Sequence, residues 1–217
     1  MIRTKADLVA TSGELCIAVA TALGIPFEST REHLRNIRRA GMISFKGHGR
    51  GAAAMTTLDA ARLLIAAAGS SFVKDSIATL EGFGRLKPTR KIPRQRSIKE
   101  STLETYLAEV MQKLIDERDQ LPNAYRRPVS PGVDSRIALR MMSVVSARPD
   151  DYPRTASVRR FLNSGVALDF TIVSFSSPEF PSPTLNSPDD AVYLREAGLI
   201  QTRDVPAWVL AEIAHAL

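Results

Sequence analysis

Between residues 20 and 41 the chain is punctuated in a way that leaves few folds open. Gly24 can end a helix in the left-handed region, and Pro26, two residues later, cannot continue it. Leu15, Val19, Ala22 and Leu23 recur at helical spacing ahead of this break, with Ser12 as candidate N-cap and Cys16 packing on the same side. Behind it, Ser29-Thr30-Arg31-Glu32 spells a capping box, in which the serine hydroxyl and the glutamate carboxylate satisfy free backbone donors. The pattern predicts a helix from about Thr30 to Ala40, closed by Gly41. Thr4 with Asp7 marks a further short helix upstream.

After Gly41, MISFK has strand character and AAAMTT can pair back against it, with GHGRG as the turn. Thr56-Thr57-Leu58-Asp59 then caps an alanine- and leucine-rich helix reaching about Ala68, and another helix is expected near Phe72 to Leu80. GRLKPTRKIPRQRSIK has two prolines and no acid, which suits an extended connector. A helix from about Ser101 to Asp119 presents Leu103, Leu107, Val110 and Leu114, with Tyr106, Met111 and Ile115 beside them. SRIALRMMSVVSA, SVRRFL and VALDFTIVSF read as three antiparallel strands, the last two forming a hairpin about NSG. Helices near Asp189 to Ala197 and Val205 to His215 follow, the second with Val205, Trp208, Val209, Glu212 and Ile213 on a mostly apolar face. The expected class is α+β: residues 1–84 as one domain, a basic linker over 85–99, and a helix with a small antiparallel sheet over 100–217.

At 217 residues and 44% hydrophobic content the chain can bury a real core. One cysteine, Cys16, and three histidines, His33, His48 and His215, supply neither a disulfide framework nor a conventional zinc site. No window has the length of a signal-peptide core or a membrane span, so a soluble, cytoplasmic protein with no membrane partner is expected. The net charge of +6 is unevenly spread: residues 1–85 carry +4, residues 86–99 carry +6 with no acid, and residues 100–217 carry −4. A basic front half points to an anionic partner, nucleic acid before membrane surface.

The helix, the break at Gly24, the capped second helix with Leu34 and Ile37, and Gly41-Met42-Ile43 together resemble the helix-turn-helix of winged-helix transcription regulators, over about residues 13–56. Thr30 departs from the aliphatic residue usual there, and its hydroxyl needs a partner if it faces the core. The resemblance implies that the capped helix enters the major groove and that the hairpin, the wing, touches flanking backbone. With Thr30, Leu34 and Ile37 inward, Glu28, Glu32, Arg35 and Arg39 point outward, and Arg31 and Asn36 lie on the flanks. Arg31 and Arg35 suit a guanine edge, Asn36 an adenine and Glu32 a cytosine, while Ser29 at the helix start suits a phosphate. Arg38, Arg39, Lys46, His48 and Arg50 would position the protein on the backbone without reading sequence.

Simpler readings stand beside these. A helix with alternating charge is often only solvated, and Gly47, Gly49 and Gly51 make a plain hairpin as readily as a wing tip. The loop is not a nucleotide cradle, because it joins two strand-like segments instead of following a strand into a helix and lacks a Gly-Lys-Ser/Thr end. Asp150-Asp151 and Asp189-Asp190 are adjacent pairs that rarely converge on one metal, and no nucleophile elbow or metal-helix motif is present. The expectation is therefore a regulator of double-stranded DNA with no cofactor and no bond chemistry, acting as a homodimer through the helix at Leu58–Ala68 or that at Leu103–Leu114, unless those stripes face their own core. Residues 100–217 are open to a small-molecule effector, a protein partner or another copy. The alternative is a replication or phage-type DNA-processing protein that binds DNA through the winged helix and recruits partners with its second half.

Overall fold

A computed structural model describes residues 10–44, 54–89, 101–127, 136–145, 154–163, 168–176 and 199–217. Helix α1 (Ser12–Leu23) is capped by Thr11, one residue ahead of the expected Ser12, in a reciprocal box with Glu14. Helix α2 (Phe27–Arg39) follows after the break. Helix α3 (Thr57–Gly69) opens on the expected Thr56 and Asp59 box, and α4 (Ser76–Gly84) comes after a 3-10 turn at Val73–Asp75. Strand β1 (Lys87–Pro88), helix α5 (Leu103–Asp116) with 3-10 turns after it at Arg118–Gln120 and Asn123–Tyr125, strands β2 (Ile137–Val145), β3 (Thr155–Asn163), β4 (Leu168–Ser176) and β5 (Leu199–Pro206), and helix α6 (Ala207–His215) complete the described elements. The expected helices near Thr4 and Asp189, and the turn residues after Asn163, lie outside the described residues.

The mixed α+β class holds, with a sheet of five antiparallel strands in the order β1-β4-β3-β2-β5. The β3–β4 hairpin is the one expected from the sequence, Asn163 pairing with Leu168. Two strands depart from expectation. Lys87–Pro88, read as part of the connector, pairs with Phe175 and Ser176 at the sheet edge, a position that tolerates a proline because no neighbour needs its missing N–H. The segment from Leu199, whose end was expected to be helical from Val205, pairs along the length of β2 instead, and the helix begins at Ala207.

One face of the sheet is apolar and lies against the helices: Leu139, Met141, Ala156, Val158, Val173, Phe175 and Val205 are all buried. The opposite face carries a two-pronged ion pair between Arg140 and Asp204 across β2 and β5, at 2.7 and 2.8 Å. Helix α3 is the centre of the helical layer, packed against α2, α4 and α5. Its Ala60, Ala61, Leu63, Leu64, Ile65 and Ala66 have no exposed surface, which is how a helix apolar around most of its circumference must sit. Helix α5 adds Leu103, Leu107, Val110 and Leu114, all buried, and Tyr106 reaches Phe175 with ring centroids 5.5 Å apart. Both stripes weighed as a dimer seam thus face the protein's own core. Buried residues from α1 through α6 form one continuous cluster, so the described parts of 1–84 and 100–217 share a core.

Polar contacts fasten these layers. Arg154 donates to the carbonyl of Ala78 at 3.0 Å and lies over the Phe83 ring, in a hollow that any side chain at Gly82 would fill. Arg127 sits over Trp208 and 3.7 Å from Glu212, while His215 is half-buried with Nε2 3.3 Å from the carbonyl of Leu114. Asp59, almost wholly buried, accepts from the Ser44 amide at 3.0 Å and from the Thr56 amide and hydroxyl at 2.9 and 2.8 Å. Asp59→Ala should lower stability by about 1–2 kcal/mol, since it removes a cap and three part-buried hydrogen bonds; a shift of the urea midpoint worth under about 0.5 kcal/mol would contradict this. Burial pushes the Cys16 thiol up to about 11 despite the nearby Arg38 and Arg31. Ellman's reagent at pH 8 should therefore leave the native thiol almost untouched and titrate it fully in denaturant.

Candidate nucleic-acid interface

Helix α2 is defined at both ends by glycines in the left-handed region, φ being 66° at Gly24 and 72° at Gly41. At each, two amides fold back onto the closing turn: Gly24 and Ile25 donate to Thr21 and Ala20, Gly41 and Met42 to Arg38 and Ile37. Pro26 is the N-cap of α2, so the helix begins before the expected Thr30. The Ser29 and Glu32 capping box does not form, because both residues already lie within the helix; Ser29 is half-buried in its first turn, and Glu32 faces Arg35. Thr30 is fully buried, and its hydroxyl finds the Pro26 carbonyl at 3.4 Å, which answers the need created by a polar residue at a core position.

Leu34 and Ile37 are buried beside Thr30, as the helical spacing requires. The two flanks of α2 are also occupied. On one, Arg38 is half-buried, engaged within the protein and close enough to influence Cys16 of α1, so it is not the free backbone contact expected. On the other, Asn36 Nδ2 donates to the Val73 carbonyl at 2.9 Å and His33 Nδ1 lies 2.8 Å from Ser76 Oγ. Asn36 was expected to read adenine; one of its two amide hydrogens goes to the 3-10 turn instead, which holds the side chain on the flank. Ser76 donates its hydroxyl proton to the Val73 carbonyl, so its oxygen accepts from His33, placing the imidazole proton on Nδ1.

What remains outward is Glu28, Arg31, Arg35 and Arg39, all exposed, with Glu32 half-exposed among them. Arg31 pairs with Glu28 at 2.6 Å and Arg35 with Glu32 at 2.8 Å, each one turn apart and with both partners in solvent. Exposed pairs of this kind contribute about 0–1 kcal/mol, so a phosphate or a guanine edge can displace the carboxylate. Arg39 follows in the last turn, where a cation complements the helix dipole. The face is a row of cations along one side of a helix whose other sides are fixed.

The segment 45–53, with Lys46, His48 and Arg50, lies outside the described residues, and the residues that flank it are held. Asp59 grips Ser44 on one side and Thr56 on the other, and the Met55 amide donates to the carbonyl of Ala10, ahead of α1, at 3.0 Å. Arg62, one turn further along α3, donates to the carbonyl of Met42 at 2.8 Å and, with two nitrogens, to Glu104 of α5 at 2.9 and 3.1 Å. Asp59 was legible only as a cap, and nothing in the spacing of Arg62 and Glu104 announces their pairing. The pairs Asp150-Asp151 and Asp189-Asp190 lie outside the described residues; within these, no cluster of His, Cys, Asp and Glu could hold a metal, and no helix is long and apolar enough to cross a membrane.

Burial holds the His33 imidazole below its ordinary pKa, and His215 is lowered for the same reason. A histidine kept neutral in the fold contributes stability that is complete above about pH 6.5 and is lost as pH falls below it, where only the unfolded chain takes up the proton. The melting temperature should drop between pH 7.5 and 5.5. His33→Asn, which keeps a donor near the Nδ1 position, should melt lower at pH 7.5 but show a shallower drop; an unchanged drop would mean that His33 titrates normally.

No family model, no curated protein and no solved structure matches the chain.

Proposed function

We propose that this protein binds double-stranded DNA by laying α2 along the major groove, and that it serves as a sequence-specific transcriptional regulator at an operator. The observation that carries the reading is the outward row of Arg31, Arg35 and Arg39 on a helix fixed along its other sides. Each fixed side removes an orientation the row could adopt, so the cations are presented as a unit. The wing expected over 45–53 lies outside the described residues; the amide-to-carbonyl bond between Met55 and Ala10 and the grip of Asp59 on Ser44 and Thr56 fix the residues that flank it, which are not strands themselves.

Arg35 projects from the middle of the outward row and is assigned to a base edge; Arg31 is its neighbour toward the helix start. Arg39, at the end of the helix, is assigned to phosphate. Asn36 drops out as a base reader, its amide engaged with the Val73 carbonyl, and Ser29 and Arg38 drop out as phosphate contacts, the first half-buried and the second half-buried and engaged within the protein. One such helix reads few base pairs, so two copies on a two-fold site supply the rest, meeting through surfaces other than the buried stripes of α3 and α5.

Selection of duplexes from a random pool, followed by affinity measurements on selected and scrambled DNA across a salt series, tests this. Arg35→Ala should reduce the preference for the selected duplex by about 5- to 100-fold, the loss of about 1–3 kcal/mol of discrimination. Arg39→Ala should weaken both duplexes alike and lower the log-log salt slope by about 1. Equal loss of preference in both variants would overturn the assignment of roles, and failure of the wild-type protein to enrich any sequence would overturn the regulator reading.

A further inference from the structure

Beside α2, the turn between α3 and α4 carries an aromatic ring and a cation that the core does not use. Phe72 is 65% exposed, and the ammonium of Lys74, itself exposed, lies 5.5 Å from its ring centroid. The residue between them, Val73, is the anchor. Its carbonyl accepts from Asn36 Nδ2 at 2.9 Å and from the Ser76 hydroxyl, whose oxygen in turn accepts from His33. Two side chains of α2 thus hold the turn, and Phe72 and Lys74 project from either side of the point of attachment.

We propose that the corner formed by Phe72 and Lys74 is a contact for the nucleic-acid backbone, with Lys74 on a phosphate and Phe72 against the adjoining sugar. The inference rests on the reading of α2 as the helix that lies in the groove. A helix with its side chains is about 10–12 Å across and the major groove about 12 Å wide, so a segment fastened to the helix's flank is set over the groove's wall. That wall is sugar and phosphate. Around α2, Asn36 lies between the buried His33 and the outward Glu32 and Arg39, which puts the turn beside the outward row and not behind the helix. Among the described residues the partner of Lys74 is the Phe72 ring, an arrangement that holds the cation in place and leaves its N–H groups free to donate. A phosphate contact positions without reading sequence, so the corner should add affinity on every duplex and selectivity on none.

Anisotropy titrations of the full chain with one labelled duplex selected by the wild-type protein and one scrambled duplex, across a salt series, decide the matter. Lys74→Ala should weaken binding to both by about 3- to 10-fold, reduce the salt slope by about 1 and leave the ratio between the duplexes unchanged. Lys74→Arg should restore binding, and Lys74→Glu should weaken it further. The melting temperatures should match the wild type, because Lys74 is exposed. Wild-type affinity and slope in both Lys74→Ala and Lys74→Glu would overturn the corner contact while leaving the α2 reading intact. A loss confined to the selected duplex would also overturn it, by making Lys74 a base reader. Absence of wild-type binding to either duplex would overturn both.

Discussion

The fold depends on one helix that cannot face water. Across its middle, α3 presents alanine, leucine and isoleucine on every side, and each residue it exposed would forfeit roughly 1.5–3 kcal/mol for a leucine-sized side chain. Surrounding it is therefore the first condition of stability, and α2, α4 and α5 meet that condition together. The two charged residues near its start, Asp59 and Arg62, stand one turn apart and reach to the ends of the neighbouring segments: Asp59 to Ser44 and Thr56, Arg62 to Met42 and Glu104. The helix that fills the core also fixes where α2 ends and where the chain returns.

This arrangement explains why the outer side of α2 is so polar. Thr30, Leu34 and Ile37 fill the inner side, while His33 and Asn36 close one flank by hydrogen bonding to a turn. The remaining arc carries two acids and three arginines. Pairing each of two arginines with a glutamate one turn away holds the long side chains along the helix and would lower the entropy lost on the proposed binding. The carboxylates also set a condition on that ligand. A phosphate must displace them against repulsion, whereas a base edge that offers both donor and acceptor can satisfy the acid and the guanidinium side by side.

Much of this was legible. Glycine and proline mark both ends of α2 because backbone sterics act locally, and the inward set followed from helical spacing alone. The Thr56 and Asp59 box and the β3–β4 hairpin were readable for the same reason. Most of what was missed depends on distant partners, with one local exception. The box at Ser29 lost to Pro26, which already opens the helix upstream, so a local signal was overruled by an earlier one. Asn36 looked available for a base because its position on the helical wheel is a flank, and only the tertiary fold brings Val73 to it. Lys87–Pro88 and the strand at Leu199 carry weak alternation and acquire their conformation from β4 and β2, which no window of sequence contains. Arg62 with Glu104, 42 positions apart, is legible only in three dimensions.

That last bridge has a thermodynamic corollary. A single guanidinium joins the carbonyl at the exit of α2 to a carboxylate in the first turn of α5, in the half of the chain that carries the sheet. An event that pulls Glu104 away frees Arg62 to shift, and the Met42 carbonyl then loses its donor. Reciprocity makes any coupling through this bridge run both ways: whatever fraction of a stabilisation at the exit of α2 reached the start of α5, the same coupling free energy would act in the reverse direction. The exit of α2 in the basic half and the start of α5 in the acidic half are, through two side chains and one peptide group, a single lever.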